Sequence, residues 1–154
     1  MNKFKMFLLV GVLSLGSIAC SDTARTSTAA PDSTDEAIEV PDVDAAVDSK
    51  QDATSDVRQN QLDSDIRARE ERNNITGGDA ERADGDLASE VRSKLEANLP
   101  ASALTIEAEE GTVKIVGTVP TQEQFDRIEP LAKEIKGVQT VVNEAVVAPA
   151  QPES

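Results

Sequence analysis

The feature that most constrains this chain is an alternation of apolar and polar side chains between residues 103 and 119. In the stretch ALTIEAEEGTVKIVGTV, apolar or small residues occupy every second position from 104 to 108 and again from 113 to 119. A period of two places these side chains on one face of an extended strand. Glu110 and Gly111 separate the two runs and suit a tight turn. The stretch therefore predicts a β-hairpin that is buried on one face.

Helical periodicity lies on both sides of this hairpin. Residues 87–98 begin an apolar stripe with a spacing of four, which predicts an amphipathic helix. A second helix is expected to begin at Pro120-Thr121, and Gly137 suits the left-handed turn that ends a helix. The two apolar stripes are Leu87, Val91, Leu95 and Leu99 in the first helix and Phe125, Ile128, Ala132 and Ile135 in the second.

A third alternating run, residues 138–147, completes the pattern, with Val141, Ala145 and Val147 on one face. Because a helix connects it to the preceding strand, these two strands are expected to pair in parallel through a right-handed crossover. The predicted fold class is α+β: a small αββαβ domain over residues 86–148, with a three-stranded mixed sheet packed on two helices. Residues 149–154 are expected to form a disordered tail.

The charge balance restricts the partners of the chain. It has 29 acidic and 15 basic residues, and 17 of the acidic residues lie between positions 21 and 85. A strongly acidic chain is repelled by the phosphates of nucleic acids and of anionic lipids. The sequence therefore excludes nucleic-acid binding and argues against electrostatic adsorption to a membrane.

Composition also argues against an enzyme. The chain has no histidine, so that neither a Ser-His nor a Cys-His pair can form. Pairs of aspartates occur at 42/44, 63/65 and 84/86, but they lie in polar segments where nothing is expected to shift their pKa values. We expect a non-enzymatic protein with no catalytic residue, no cofactor and no metal site.

Residues 20–85 are predicted to be a disordered acidic linker, because Asp, Ser, Thr, Ala and Pro cannot bury enough surface to offset the entropy of ordering. A flexible chain of this length spans roughly 45 Å on average. One part differs, since LDSDIRAREERN at 62–73 resembles LASEVRSKLEAN at 87–98. A solvated helix at about 56–73 fits this pattern, supported by pairs such as Asp65 with Arg69. Whether that helix stands free or docks on the domain is left open.

The first 19 residues have the three parts of a secretory signal peptide. Lys3 and Lys5 are followed by an almost entirely apolar run and then by small residues up to Ala19. Cys20, the only cysteine, comes directly afterwards. This arrangement resembles the lipobox of bacterial lipoproteins, in which the thiol is acylated and becomes the first residue of the mature chain. Ser17 departs from the leucine that the lipobox prefers, and it also suits ordinary signal peptidase. Cys20 is accordingly expected to be a lipid anchor, with a soluble periplasmic protein as the alternative.

Several landmarks of the predicted domain form a recognisable set. They are Leu87 and Val91, then Gly111-x-Val113-x-Ile115-x-Gly117-x-Val119, and finally Gly137-Val138-x-x-Val141-x-Asn143. Together they resemble the BON domain, named for bacterial osmotically inducible periplasmic and nodulation proteins. All three glycines have architectural roles: Gly111 serves the turn, Gly117 allows a helix to approach closely, and Gly137 stops a helix. The structural motif residues carried over are Gly111, Gly117, Gly137, Val141 and Asn143.

The resemblance implies a cell-envelope protein that carries a single BON-like domain. Such domains are associated with phospholipid binding and with envelope integrity or stress. The expected partners are a membrane, through an anchor at Cys20, and phospholipid headgroups or envelope proteins. A protein-interaction or scaffolding module in the periplasm is the alternative function, and the oligomeric state is left open.

Overall fold

A computed structural model describes residues 23–76 and 83–152 of the chain. The described residues form four strands and four helices. In chain order these are β1 (Ala24–Arg25), α1 (Val43–Thr54), α2 (Asp56–Thr76), α3 (Asp84–Asn98), β2 (Ala103–Glu109), β3 (Thr112–Val119), α4 (Gln122–Lys133) and β4 (Thr140–Val147). The signal peptide expected at 1–19 and the acceptor Cys20 lie outside the described residues.

The sheet is mixed, as the sequence predicts, but it has four strands in the order β1-β2-β3-β4. Strands β2 and β3 form the predicted antiparallel hairpin, and β4 pairs in parallel with β3 after the crossover through α4. The prediction of three strands is wrong because β1 pairs antiparallel with β2, where Ala24 lies opposite Ile106. A strand of two residues is too short to leave any periodicity in the sequence.

An aliphatic core lies between α3, α4 and one face of the sheet. Its members are Leu87, Val91, Leu95 and Leu99 of the α3 region; Leu104, Ile106, Val113, Ile115 and Val119 of the hairpin; and Ile128, Ala132 and Ala145. Phe125 is only partly buried against it. Each helix therefore packs the face that its apolar stripe predicts.

The helix ends have identifiable causes. Thr121 caps α4, because its side chain accepts a hydrogen bond from the Gln124 backbone N–H at 3.3 Å. The Gln124 amide donates to the Pro100 carbonyl oxygen at 3.0 Å and so ties the start of α4 to the end of the α3 region. Helix α4 ends at Lys133, earlier than expected, and the chain then turns through Gly137 with φ of 95°. Pro130 lies within the last turn of this helix.

The structure of residues 23–76 differs from the expected disordered linker. This region, which we call the N-terminal collar, contains β1, α1 and α2. Helix α2 includes the segment 56–73, and it packs on α3 with the Leu62 side chain only 1% exposed. A polar segment cannot build a core alone. Here α3 of the domain supplies the partners, because its charged side chains pair with those of α2.

The expected disordered tail also has a described contact. Gln151 forms an isolated parallel bridge with Asp42, just before α1. The Val43 N–H donates to the Gln151 carbonyl oxygen at 3.0 Å, and the Gln151 N–H donates to the Pro41 carbonyl oxygen at 3.1 Å. The collar therefore contacts the tail that follows the domain as well as the domain itself.

Candidate functional site

Gly111 closes the β2–β3 hairpin and also positions the start of β4. Its φ is 81° and that of Glu110 is 48°, both in the left-handed region. The Gly111 carbonyl oxygen accepts hydrogen bonds from the backbone N–H groups of Gln139 at 2.8 Å and Thr140 at 3.2 Å. A Cβ at this position would lie 2.7 Å from the end of the Gln139 side chain. The turn and the first residue of β4 thus depend on one small residue.

Gly117 allows the close approach of a strand and not of a helix, so the expectation from sequence is wrong in this detail. Its φ is 122°, and a Cβ would lie 2.0 Å from the Ala103 carbonyl oxygen of β2. Gly117 is paired with Leu104 on one side and with Ala145 on the other. The residue therefore lets the central strand bend between its two neighbours.

The remaining motif residues lie on or before β4, at the outer edge of the sheet. Val141 packs partly buried against the core. The Asn143 side-chain oxygen accepts a hydrogen bond from the Ala145 backbone N–H at 3.1 Å. In β4, the N–H groups of Thr140 and Ala148 point toward the hairpin, so the N–H of Ala145 points outward. Asn143 thus satisfies a donor on the exposed edge, which is a place where sheets otherwise recruit another strand.

The aspartates that occur in pairs have structural roles in the described residues. Asp42 caps α1 by accepting a hydrogen bond from the Ala45 N–H at 2.7 Å. Asp84 accepts from the Glu110 N–H at 3.0 Å, linking α3 to the hairpin. Asp86 forms ion pairs with Arg69 and with Arg72. These carboxylates stabilise the fold and are not arranged as an acid–base pair.

An arginine–carboxylate network joins α2 to α3. The Arg58 guanidinium lies 2.6 Å from Glu96, and Arg92 contacts the second oxygen of the same carboxylate at 2.8 Å. Glu96 is almost fully buried, with a side chain 4% exposed. Its hydrogen bond raises the pKa of Arg58 above the ordinary value, an effect that burial partly opposes. A buried carboxylate with two cationic partners indicates that α2 docks in one orientation.

Asp65 lies at the centre of the same interface. It accepts hydrogen bonds from Arg69 at 3.1 Å and from the buried Ser93 hydroxyl at 3.0 Å. Burial alone would raise the pKa of Asp65, but these hydrogen bonds and the charges of Arg69 and Arg92 hold it below the ordinary value. The sequence predicts the pair of Asp65 with Arg69 as support for a solvated helix. The sequence gives no sign that Asp65 contacts Arg92 and Ser93 of α3, because these residues lie 27 and 28 positions away from it.

Residues 23–36, which we call the clamp, run from β1 onto the second face of the sheet and cover the part of it formed by β2 and β3. Val142 and Val146 of β4 remain exposed. Thr26 and Thr34 of the clamp are buried, as is Thr105 beneath it in β2. The Thr105 hydroxyl donates to the Pro31 carbonyl oxygen, and the Thr34 hydroxyl donates to the Glu107 carboxylate. Hydrogen bonds from threonine hydroxyls thus join this layer to β2.

Open clefts occur where the collar meets the domain. The cleft between residues 25–28 and α1 has a volume of about 620 Å³ and is lined by four aspartates, two arginines, four hydroxyl side chains and one alanine. Small-molecule sites are usually apolar with a few polar groups, which this cleft is not. Among residues 23–76 and 83–152, no group of three or more acidic or cysteine side chains is placed to hold a metal ion. The helices in those ranges also lack the combined length and hydrophobicity needed to cross a bilayer.

These features define a small aliphatic α+β domain whose distinctive residues are architectural. A family model for the BON domain matches residues 83–149. The Osmotically-inducible protein Y of Escherichia coli (strain K12) is 41% identical over 64 residues, which cover 39% of this chain and 32% of that protein. The aligned part thus spans about a third of the curated relative. No solved structure matches the chain.

Residues 83–149 of this chain are therefore a BON domain, and the family resemblance drawn from its glycines and valines is confirmed. The matched range includes α3, the β2–β3 hairpin, α4 and β4. The collar, residues 23–76, lies outside that range. The match therefore accounts for residues 83–149 and leaves the collar as a separate feature of this chain.

Proposed function

We propose that this chain is a non-enzymatic lipoprotein of the cell envelope, which presents one BON domain to the periplasm from an acylated Cys20. The observation that carries the proposal is the BON domain at 83–149, together with its similarity to a protein named for osmotic induction. The signal-peptide pattern and the position of Cys20 support export and anchoring. The role is envelope maintenance under stress, with phospholipid association.

The charges of the domain favour an anchor over electrostatic adsorption as the source of membrane attachment. Lys94 lies 2.6 Å from Glu134, and Lys133 lies 2.5 Å from Glu129. Lys114 lies 3.6 Å from Glu144 on the sheet. Cations that already have acidic partners attract anionic headgroups weakly. Acyl chains contribute about 0.8 kcal/mol for each buried methylene and need no positive surface.

The test of anchoring is a Cys20→Ser variant compared with Ser21→Ala, a matched change one residue away. The unaltered protein and Ser21→Ala are expected in the membrane fraction, and mass spectrometry should find acyl chains on Cys20. Cys20→Ser is expected in the soluble periplasmic fraction or as unprocessed precursor. A mature chain with a free thiol at Cys20 would overturn the anchor and leave the soluble periplasmic alternative.

Direct phospholipid association is tested on the unacylated protein with liposomes at low salt. Co-sedimentation with phosphatidylglycerol vesicles is the expected result if the domain itself binds headgroups. Absence of binding at low salt would remove that part of the proposal, and it would leave the anchor untouched.

A protein-interaction module is the second candidate, and one observation favours it. The face of α3 that packs on α2 already binds a helix through polar contacts, since Glu96 forms an ion pair with Arg58 and the Ser93 hydroxyl donates a hydrogen bond to Asp65. A surface that binds one helix in this way has the chemistry to bind another. Crosslinking in intact envelopes is expected to recover a specific protein, and recovery of lipid alone would count against this function.

A further inference from the structure

We infer that the clamp fixes the start of the mature chain beside the sheet, so that a lipid anchor at position 20 holds the domain close to the bilayer with one end facing it. The orientation relative to the bilayer rests on the proposed anchoring, whereas the distance from position 20 to the sheet does not. The inference reverses the expectation of a long acidic spacer.

The first observation is an interlocked set of hydrogen bonds at Thr26. The Thr26 N–H donates to the Leu104 carbonyl oxygen at 2.9 Å, and the Leu104 N–H donates to the Thr26 hydroxyl oxygen at 2.9 Å. The same hydroxyl donates to the Ser102 carbonyl oxygen at 3.1 Å. Thr26 is only 7% exposed. Because these groups are buried, releasing the clamp would leave several of them without partners.

The second observation is that the clamp is also held further along. Ala30 is 5% exposed and Thr34 is 6% exposed, and both lie in the layer over β2 and β3. The Lys114 ammonium donates to the Thr34 carbonyl oxygen at 3.4 Å and contacts Asp35 at 3.5 Å. The clamp is therefore held on the sheet at Thr26 and again at Thr34, so that its first residues are not free to fray.

Covalent geometry then limits the reach of the anchor. Only three residues lie between Cys20 and Ala24, so that four Cα–Cα steps join the two. A fully extended chain spans at most about 3.3–3.6 Å per residue, so no conformation of the intervening residues can separate position 20 from Ala24 by more than about 14 Å. A flexible linker up to residue 85 would give roughly 45 Å. The clamp therefore shortens the expected spacer about threefold.

The direction of β1 determines which end of the domain is next to the anchor. Ala24 pairs antiparallel with Ile106, so the chain enters β1 from the end of the sheet at which β2 finishes, Glu109. Thr23 shares a cleft with Ala83, Gly85 and Asp86, at the beginning of α3. Both observations place the hairpin end of the domain toward position 20. The start of α4 lies at the opposite end of the sheet, since it follows Val119 at the end of β3.

The distance is tested in the unacylated full chain, where Cys20 is the only natural thiol. A second cysteine is introduced as Glu109→Cys, at an exposed position near the hairpin, or as Glu123→Cys, at an exposed position on α4. Spin labels on each pair are measured by pulsed electron resonance. We expect narrow distributions, with the label at 109 closer to Cys20 than the label at 123. A broad distribution for 109 or a mean near 45 Å would overturn the inference.

A matched pair of variants tests whether the clamp causes the short distance. Thr26→Asp places a carboxylate at the buried hydroxyl position, and Thr28→Asp makes the same change at an exposed residue of the clamp. Thr26→Asp is expected to broaden the distribution and lengthen its mean about twofold, while Thr28→Asp leaves it narrow. Equal distributions in the two variants would show that the clamp does not set the distance.

The orientation is tested on the acylated protein in phosphatidylcholine vesicles. Acylation removes the thiol of Cys20, so a fluorophore reacts only with the cysteine introduced at 109 or 123. A lipid-borne quencher is expected to reduce the signal at 109 several-fold more than the signal at 123. Equal quenching would overturn the orientation. Two reactive thiols per chain would instead mean that Cys20 carries no acyl chain, which is failure of the proposed anchoring.

Discussion

The domain and the collar contain two copies of one sequence pattern but bury it in different ways. In the domain, the copy at 87–98 packs an aliphatic stripe into a core shared with the sheet. In the collar, the copy at 62–73 buries Leu62, and its Asp65, Arg69 and Arg72 form ion pairs with α3. Apolar burial is undirected and strong, whereas ion pairs are directional and weakened by salt. The comparison predicts a domain that unfolds as a unit and a collar that opens first.

The largest effect is expected from Gly117→Ala in the domain. A Cβ would lie 2.0 Å from the Ala103 carbonyl oxygen, and φ of 122° is strained for any residue with a side chain. Neither the strand backbone nor the dihedral can adjust without breaking the sheet. We expect a loss of more than about 4 kcal/mol in the free energy of unfolding, measured by urea denaturation.

Gly111→Ala is the control for that prediction. Its new Cβ would meet the flexible end of the Gln139 side chain, which can move away. The free energy of unfolding should therefore fall only by the cost of placing alanine in a left-handed conformation, about 1–2 kcal/mol. Similar losses for the two variants would mean that backbone contact at Gly117 does not limit the fold.

The second prediction compares Leu87→Ala with Leu62→Ala, the equivalent positions of the two copies. Both leucines are 1% exposed, so the substitutions remove the same buried side chain from different regions. Leu87→Ala should cost about 2–5 kcal/mol of global stability because it leaves a cavity in the core. Leu62→Ala should open α2 while the unfolding of the domain shifts by less than about 1 kcal/mol.

Hydrogen exchange separates these outcomes. Leu62→Ala is expected to lower the protection of α2 amides and to leave that of β2 and β3 amides unchanged. Leu87→Ala should lower both. Loss of β-sheet protection in Leu62→Ala would contradict the comparison, since the collar and the domain would then form one cooperative unit.

The sequence predicts the domain well because its information is local. The alternation at 103–119 and the stripe that begins at Leu87 are each sufficient to define an element, and the glycine at 111 marks the turn between strands. The sequence also identifies Gly117 as a position where a glycine is needed. It does not predict that the Ala103 carbonyl oxygen is the close neighbour, because the contact between two strands depends on register and twist. The pattern at 56–73 likewise indicates a helix.

The collar could not be predicted because its contacts are distant in sequence and chemically ordinary. Thr26 bonds to residues 76 and 78 positions away, and Arg58 bonds to one 38 positions away. An acidic segment with a few threonines and arginines has the same sequence pattern whether its side chains are solvated or docked on a domain. Only the partner surface distinguishes the two cases, and that surface exists only after the domain has folded.

The third prediction concerns the ion pairs that hold α2. Arg58→Met keeps much of the aliphatic stem but removes the bond to the buried Glu96, which retains Arg92 at 2.8 Å. Because one partner remains, we expect α2 docking to weaken by about 1 kcal/mol, seen as faster exchange of α2 amides. Added salt should also speed that exchange in the unaltered protein, and less so in Arg58→Met.

Arg67→Met is the control, since Arg67 is an exposed residue of the same helix and, within 23–76 and 83–152, its side chain donates one long bond of 3.4 Å, to Ser64. It should leave the exchange rates of α2 and their salt dependence unchanged. If both variants behave alike, the network at Glu96 does not hold the helix and hydrophobic contact at Leu62 is sufficient.

The smallest effect is expected from pH, acting through Asp65. Burial opposes its ionisation, but bonds from Arg69 and Ser93 and the charges of Arg69 and Arg92 depress the pKa below 3.8. A carboxyl whose pKa is lower in the docked state than in the free state stabilises docking at every pH above its free value. That contribution decreases as pH falls below about 4 and is lost once the docked carboxyl is protonated. We therefore expect α2 docking to weaken below about pH 4, with faster amide exchange, before the sheet unfolds.

Asp65→Asn should make α2 exchange faster at neutral pH and remove most of its dependence on pH below about 4. Asp63→Asn, at an exposed position of the same helix, should change neither. A collar that detaches at the same pH in Asp65→Asn as in the unaltered protein would place the responsible group elsewhere.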